Sequence, residues 1–467
     1  MYVTSNTVIR IGIKAELILN NFIIKNAWIC QIGDNSIHPM FGEIEIENGR
    51  IASFSPGKAT NLSNRPILDS ESQLDVGNRI ITLPLINFHH HFYSQLVKGL
   101  PFSGDMHNFE LILKNLWWIL DKQLDFDSIT ACAQQACLES IRHGVTYIFD
   151  HHSSPSAING SLERIKDVIE KFKLRAVLCY ETSDRNGKQN ALDALNENAN
   201  FASLQTSDDV KSMLGLHASF TLSDDTLQKA GKILHNYNSG IHIHLCEGEI
   251  DRTISIKKFH RSPVERLIDF NLLNSNGILT HGVHLNEDDY RNISGFGTAI
   301  AYNPDSNLNN AVGLPQFEKV PPEIPVLVGT DGMHSHIARS LKQLFLLYRH
   351  RGASSEATFN WIKKIYFDQL DFIGNYFKDF PSLQVGDRAD FIVWDYVPPN
   401  HLTPDNFWGH FIYGALESPI HSAVHGGTFL MKNYQMQNID ESAIYQAVRK
   451  QGQLLYQRIQ DLRNSTD

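Results

Sequence analysis

Four short stretches of this chain carry side chains that bind metal ions or move protons, and each follows a run of apolar residues. They are Asn87-Phe88-His89-His90-His91, His242-Ile243-His244-Leu245-Cys246-Glu247, Thr280-His281-Gly282-Val283-His284 and Gly329-Thr330-Asp331-Gly332. Residues two apart in an extended strand project to one side, so His89 and His91 share a face while His90 points away. Two neighbouring imidazoles make half of a tetrahedral or trigonal-bipyramidal metal site. With 22 histidines in the chain, an HxH pair alone is no more than chance supplies, and two histidines merely capping a strand read the same way. The later stretches give the pair its weight. His244 stands at another strand mouth, and Glu247 lies three residues on, within reach of a group bound at the same metal. His281 and Asp331 follow at two further strand ends. Such a set suits a metal that activates water, flanked by groups that move protons.

These residues can meet only if the strands that end in them lie side by side. Between about 84 and 384, short apolar runs alternate with longer amphipathic stretches, which is a βα repeat. The candidate strands are Leu83–Phe88, Val145–Phe149, Arg175–Tyr180, Met213–Leu216, Ile241–Leu245, Gly277–Thr280, Thr298–Tyr302 and Val326–Gly329. Eight parallel strands close a (β/α)8 TIM-like barrel, whose catalytic groups collect where strands end and loops begin. Ser161 to Phe172 and Ser340 to Arg349 have the apolar spacing of intervening helices.

The flanks read differently. Residues 1–83 are expected to form short strands. Glu43 to Glu47 alternates with period two, and Asn48-Gly49 makes a hairpin turn into Arg50–Phe54. The β texture returns after Val385, at Phe391–Trp394 and from Val424 to Met431, with a turn at Gly426-Gly427. The expected division is therefore a small composite β-sandwich from 1–83 and 385–435, the barrel over 84–384, and 436–467 as an outer helix, amphipathic from Glu441 to Leu462.

The 467 residues are 42% hydrophobic and 20% charged, ordinary for a folded chain, with a formal net charge of −10 and no Lys/Arg cluster. Neither a nucleic acid nor an anionic membrane surface is an expected partner. Arg10 and Lys14 interrupt the apolar stretches of the first residues, so no signal-peptide core is read there, and no run approaches a membrane span. Cysteines at 30, 132, 137, 179 and 246 are odd in number and lack CxxC spacing, which fits reduced thiols and a cytoplasmic location.

With these motifs in place, the chain resembles the amidohydrolase superfamily in its aminohydrolase and chlorohydrolase branch, most of all the SsnA-type aminohydrolases. The resemblance runs through Asn115 to Asp121 (NLWWILD), Asp150 to Pro155 (DHHSSP), Leu174 to Ala176 (LRA), Glu181 to Asn186 (ETSDRN) and Ser306 to Asn310 (SNLNN). It implies that His89, His91, His244 and Asp331 hold one divalent metal, Zn²⁺ foremost and Fe²⁺ second. It also implies that Asp331 takes a proton from water, His281 polarises the oxyanion, and Glu247 protonates a ring nitrogen and then the leaving amine. Binuclear relatives carry a carboxylated lysine on the fourth strand. This chain has Met213 to Ser219 there, with His217 and no lysine, which favours a mononuclear site. Two departures from the pattern stand out: Leu85 follows Pro84 where the family usually has glycine, and Met333-His334-Ser335-His336 follows Gly332 where a smaller or acidic residue is expected.

The expected activity is hydrolytic deamination of an aminated heterocycle, a purine or pterin-like ring, with ammonia leaving and a homodimer as the assembly. Hydrolysis of a cyclic amide, imino or chloro compound is the alternative on the same scaffold. A non-catalytic metal-binding protein that assembles with partners is a third reading. Candidate substrate contacts are His217, Trp117, His151, Asn303 and Asn307. Each also has a plain structural reading, since Trp117 and Trp118 cannot face the same way on an α-helix and one of them is ordinary packing. His152 and His284 read as loop or supporting histidines, and Cys246 as a small buried hydrophobe.

Overall fold

Strand Leu85–His90 opens a four-stranded parallel arc that continues with Val145–His152, Arg175–Tyr180 and Val210–Ser212. A five-stranded parallel arc follows, made of Leu214–Ala218, Ile241–Leu245, Ile278–His281, Ala299–Tyr302 and Val326–Val328. This computed structural model describes residues 21–58, 72–204, 207–237 and 239–464; the reading of Arg10 and Lys14 lies outside them. Val210–Ser212 runs through Met213 into Leu214–Ala218, so the nine segments fill eight strand positions. The arcs are joined at both seams by parallel bridges, Thr182 to Leu216 on one side and His90 to Asp331 on the other. The result is the TIM-like (β/α)8 arrangement.

The barrel strands are buried almost throughout, as expected when helices cover the outside and side chains fill the inside. Under the catalytic end, Phe88 and Phe149 meet at 5.0 Å and Phe372, from helix Ser355–Ile373, closes on them. The first strand begins and ends two residues later than the sequence suggests, because His90 still pairs with Asp150. His89 therefore lies inside the strand, and His91 follows directly.

Both chain ends contribute to one nine-stranded sheet, the expected β partner of the barrel. Its first two strands, Phe22–Gly33 and Ser36–Glu47, are twelve residues each, longer than the short strands read from the sequence. Tight turns explain the register: Asp34 and Asn35, Asn48 and Gly49, and Gly426 and Gly427 all have positive φ, as two-residue hairpin loops require. Eight of its strands follow one hydrogen-bonded path and Gln73–Asp75 branches from it to pair with Phe22–Gly33, while Phe22 meets Phe429 at 4.5 Å. Ile24, Ile44, Ile81, Phe391 and Val393 fill its separate core. The final helix, Glu441–Asn464, lies on helix Phe126–Arg142, with Arg458 donating to Gln123 O at 2.6 Å and Arg142 to Tyr445 Oη at 2.5 Å.

Candidate active site

All four motifs sit at the carboxyl end of their strands, and the backbone there is shaped for close approach. Thr330 N and Asp331 N both donate to His89 O, at 2.9 and 3.0 Å, which draws the eighth strand end against the first. A Cβ on Gly329 would lie 2.6 Å from His89 Cβ and 2.8 Å from His89 O, so only glycine fits there. Cys246, His281 and Asp331 adopt positive φ of 51°, 76° and 55°, a local strain typical of residues held for function.

The side chains converge. Asp331 Oδ1 is 2.9 Å from His91 Nε2 and 3.4 Å from His89 Nε2, and His91 Nε2 is 3.1 Å from His244 Nε2. Behind them, His91 Nδ1 donates to His151 O at 2.6 Å and His244 Nδ1 to His217 O at 2.8 Å. His89 Nδ1 meets His242 Nε2 at 2.9 Å. Carbonyl acceptors put the protons of His91 and His244 on Nδ1, which turns their Nε2 lone pairs toward one point beside a carboxylate. His89 Nε2 is buried there without a hydrogen-bond partner. Converging lone pairs and a carboxylate repel one another unless a cation lies between them, so these residues fit a divalent metal. The field of Asp331 and Glu181 favours a cation at this point: against the opposing effect of burial it raises the His91 pKa to about 9, and a bound metal would take the place of the extra proton on Nε2. Ligand atoms of His89, His244, His281 and Asp331 all lie within 4.8 Å of one another, as do those of His89, His91, His151 and His244.

The two acid/base carboxyls are driven apart. Burial, reinforced by the Asp331 charge, pushes Glu247 well above the usual carboxyl range. Burial would raise Asp331 too, but the His89 and His91 imidazoles beside it hold it well below its ordinary value. His281 Nε2 faces both, 3.3 Å from Glu247 Oε2 and 3.9 Å from Asp331 Oδ2.

These groups open into a cavity of about 620 Å³, lined also by Tyr93, Phe109, Leu113, Trp117, Trp118 and Phe220. Of the expected substrate contacts, His217 and Trp117 line it. The other three lie behind the wall. His151 is fully buried and stacks on His242 at 4.6 Å, Asn303 donates to Ala301 O, and Asn307 donates to His281 Nδ1. Strand-end position does not distinguish a residue aimed into the cavity from one supporting its neighbour.

Trp117 and Trp118 both line the cavity, contrary to the α-helical reading. Trp118 N bonds back to Leu113 O, one residue further than an α-helix reaches, and this π-helical turn carries both rings along the cavity wall. His90 points outward as expected, with Nε2 on Ser335 Oγ at 2.9 Å. His284 braces Val312 O, His152 meets Ser154, and His334 and His336 stay outside the cavity wall.

Sequence reasoning left Glu181, Arg185, Asp121 and Asn310 unassigned, although all four line the cavity. Arg185 pairs with buried Asp121, donates to Ser153 Oγ at 3.2 Å, and sits 5.4 Å over the Trp118 ring. Burial lifts Glu181 to about 7 despite nearby His91 and Arg185. The ETSDRN and NLWWILD stretches contained three of the four, and a charged residue just past a barrel strand was the available signal.

Known proteins are similar to this chain over nearly its whole length. The chain is 24% identical to a 5'-deoxyadenosine deaminase of Methanosarcina mazei, over 94% of this chain and 99% of the relative. It is 23% identical to a 5-methylthioadenosine/S-adenosylhomocysteine deaminase of Desulforudis audaxviator, over the same shares. Among solved structures, an adenosine deaminase from Xanthomonas campestris with bound zinc superposes with a TM-score of 0.77 at 16% identity, covering 94% of this chain and 99% of that one. An atrazine chlorohydrolase from Arthrobacter aurescens complexed with zinc gives 0.73 at 16% identity, covering 93% and 100%. At such identities these two establish the fold alone. The Amidohydrolase family profile matches residues 80–420, well over half of the sequence, and the chain belongs to that family.

Proposed function

We propose that this protein is a metal-dependent aminohydrolase that releases ammonia from an aminated purine-like ring, the purine borne on a nucleoside or a related 5'-modified compound. The observation that carries this reading is the placement of Glu247 and Asp331 around His281 Nε2, at 3.3 and 3.9 Å, in one cavity with the imidazole cradle. The relatives named as deaminases of 5'-deoxyadenosine and of methylthioadenosine support the substrate class. So does the aromatic lining of the cavity, where Trp117, Trp118 and Phe220 offer ring faces to a flat heterocycle.

In this reading His89, His91, His244 and Asp331 hold one divalent cation, Zn²⁺ foremost and Fe²⁺ second. When bound, it supplies the Lewis acidity that makes a water acidic enough to lose a proton near neutral pH. Water gives its oxygen to the amine-bearing carbon as the carbon–nitrogen bond breaks. Its two protons end on the ring nitrogen and on the departing ammonia. Glu247 delivers the proton to the ring nitrogen, Asp331 takes a proton from water, and both finish unchanged. His281 donates from Nε2 to the oxygen as negative charge develops on it. Aromatic faces of Trp117, Trp118 and Phe220 hold the ring.

The finer placement with SsnA-type enzymes rests on the NLWWILD, ETSDRN and SNLNN stretches. Residues 84–384 form the catalytic unit of this reading, flanked by the sheet of 1–83 with 385–435 and the helix of 436–467. A cytoplasmic homodimer completes it; five buried free thiols suit a reducing compartment, and no described helix is long and apolar enough to cross a membrane.

The test is ammonia release by zinc-loaded protein from 5'-deoxyadenosine, methylthioadenosine, S-adenosylhomocysteine, adenosine, guanine and aminopterins. Release from one class, abolished in Glu247→Gln with zinc content unchanged, is the expected result. Chloride release or ring opening of a cyclic amide without ammonia would overturn deamination in favour of the second hydrolytic reading.

A further inference from the structure

Three side chains of one short segment each hold a different acid/base group. Ser306 Oγ donates to Asp331 Oδ2 at 2.5 Å, and Asn307 Nδ2 donates to His281 Nδ1 at 3.0 Å. Asn310 Nδ2 donates to Glu247 Oε1 and to Ser306 Oγ, both at 3.2 Å. All three residues are buried, and they sit on and just after the helical turn Pro304–Asn309 that follows the seventh barrel strand. Residues 306 and 310 share a face of such a turn, which lets one bond the other. The turn is itself fixed from outside, because Asp305 accepts from Arg339 Nε at 2.7 Å and from Ser340 Oγ at 3.0 Å.

Each bond decides where a proton can lie. An amide nitrogen only donates, so His281 Nδ1 must accept and its proton stays on Nε2, facing Glu247 and Asp331. Asn310 aims an N–H at Glu247 Oε1, which leaves Oε2 as the oxygen for the acid proton, 3.3 Å from His281 Nε2. The Ser306 hydroxyl occupies Asp331 Oδ2 and leaves Oδ1 facing His89 and His91. Asn310 also donates to the Ser306 oxygen, which turns the hydroxyl proton toward Asp331.

We propose that Ser306, Asn307 and Asn310 form a single positioning element that sets the proton-bearing atom of all three acid/base groups of the reaction. This rests on the aminohydrolase reading of the same cavity. None of the three is itself a catalytic residue; each acts through the group it holds.

The decisive comparison is Asn307→Asp against Asn307→Ala in the full-length, zinc-loaded protein. Aspartate has nearly the shape of asparagine but only accepts, so it forces the His281 proton onto Nδ1 and turns a lone pair toward the cavity. Alanine leaves the imidazole free to choose. The expected order is a loss in kcat of about 100-fold or more for Asn307→Asp and a smaller loss for Asn307→Ala, with KM within a few-fold for both. A segment that matters only for packing reverses that order, because the alanine removes more volume; equal or reversed losses overturn the proposal. Ser306 gives an arm that needs no substrate. Ser306→Ala is expected to weaken Zn²⁺ binding about 10-fold by chelator competition, and Ser306→Thr, which keeps a hydroxyl, to recover most of it. Unchanged affinity in Ser306→Ala overturns the element. A wild-type protein that releases no ammonia from any compound sinks the functional reading, while the zinc titration still decides the role of Ser306. If Asn307→Asp does not fold, the Ser306 pair alone decides whether the element stands.

Discussion

The two walls of the cavity are built on different principles. On the reaction side, His89, His91, His244 and His281 end rigid strands, and each has its second nitrogen held by a buried partner: His242, His151 O, His217 O and Asn307. On the opposite side, Phe109, Trp117, Trp118 and Phe220 are only partly buried, and three of them come from one short helical stretch between Phe109 and Leu120. Trp118 Nε1 is buried without any partner, and so is Arg185 Nε. One wall has one nitrogen of each of these imidazoles committed within the protein and leaves His89 Nε2 and His281 Nε2 without a hydrogen-bond partner. The other keeps donors and aromatic faces uncommitted, as a surface that meets a ligand must. In the proposed reaction the imidazole wall carries the chemistry and the aromatic wall recognises the substrate.

The largest effect that tests this contrast is Asp331→Asn. The substitution keeps the shape but removes the charge that faces two imidazoles. Zinc content by elemental analysis should fall well below one equivalent, and turnover should drop by about 10³-fold or more. Retention of both would show that the imidazoles alone hold the ion, and the reaction wall would then be less interdependent than its geometry implies.

A matched pair of added methyl groups sharpens the comparison. Gly329 and Gly248 each sit against one wall, and a Cβ on either meets atoms closer than 3 Å. At Gly329 these are His89 Cβ, His89 O and Asn303 Oδ1, all buried and held. At Gly248 the near atom is the Phe109 ring edge at 2.8 Å, on a partly exposed side chain that can swing aside. Gly329→Ala should therefore lower stability by about 2–3 kcal/mol, through overpacking, and displace His89 enough to impair zinc binding. Gly248→Ala should leave stability within about 1 kcal/mol and change KM more than kcat. Thermal melts and steady-state kinetics on both variants check this, and equal damage at the two sites would erase the distinction between the walls.

The same division governed what the sequence could disclose. His89, His91, His244, His281 and Asp331 were legible because period-two projection and a strand end are local facts, and barrel closure then brings the ends together. Their partners were not. His242 reaches His89 across 153 residues of chain, and no local spacing marks Asn307 as the residue that holds His281 rather than substrate. The aromatic wall failed for another reason: the π-helical turn at Leu113–Trp117 breaks the α-period on which the separation of Trp117 from Trp118 depended. The nine-stranded sheet lay between these cases. Its Asn48-Gly49 and Gly426-Gly427 turns were readable, but the long pairing of Phe22–Gly33 with Ser36–Glu47 depends on Asp34-Asn35, which gives a weaker hairpin signal than a glycine-containing turn.

The smallest effect is the most informative about the substrate wall. Trp118→Phe keeps a smaller aromatic face under Arg185 and removes the indole N–H, which has no partner in the protein. Removing an unpaired buried donor removes a desolvation penalty that offsets part of the packing lost with the smaller ring, so stability should change by about 1 kcal/mol at most. If that N–H is reserved for an acceptor on the substrate, KM should rise about 10-fold, the equivalent of roughly 1.4 kcal/mol of one hydrogen bond, while kcat changes little. Trp118→Ala serves as the reference, since it also removes the face and should weaken binding further. A Trp118→Phe variant with unchanged KM, beside a strongly impaired Trp118→Ala, would make the ring face rather than the donor the recognition element.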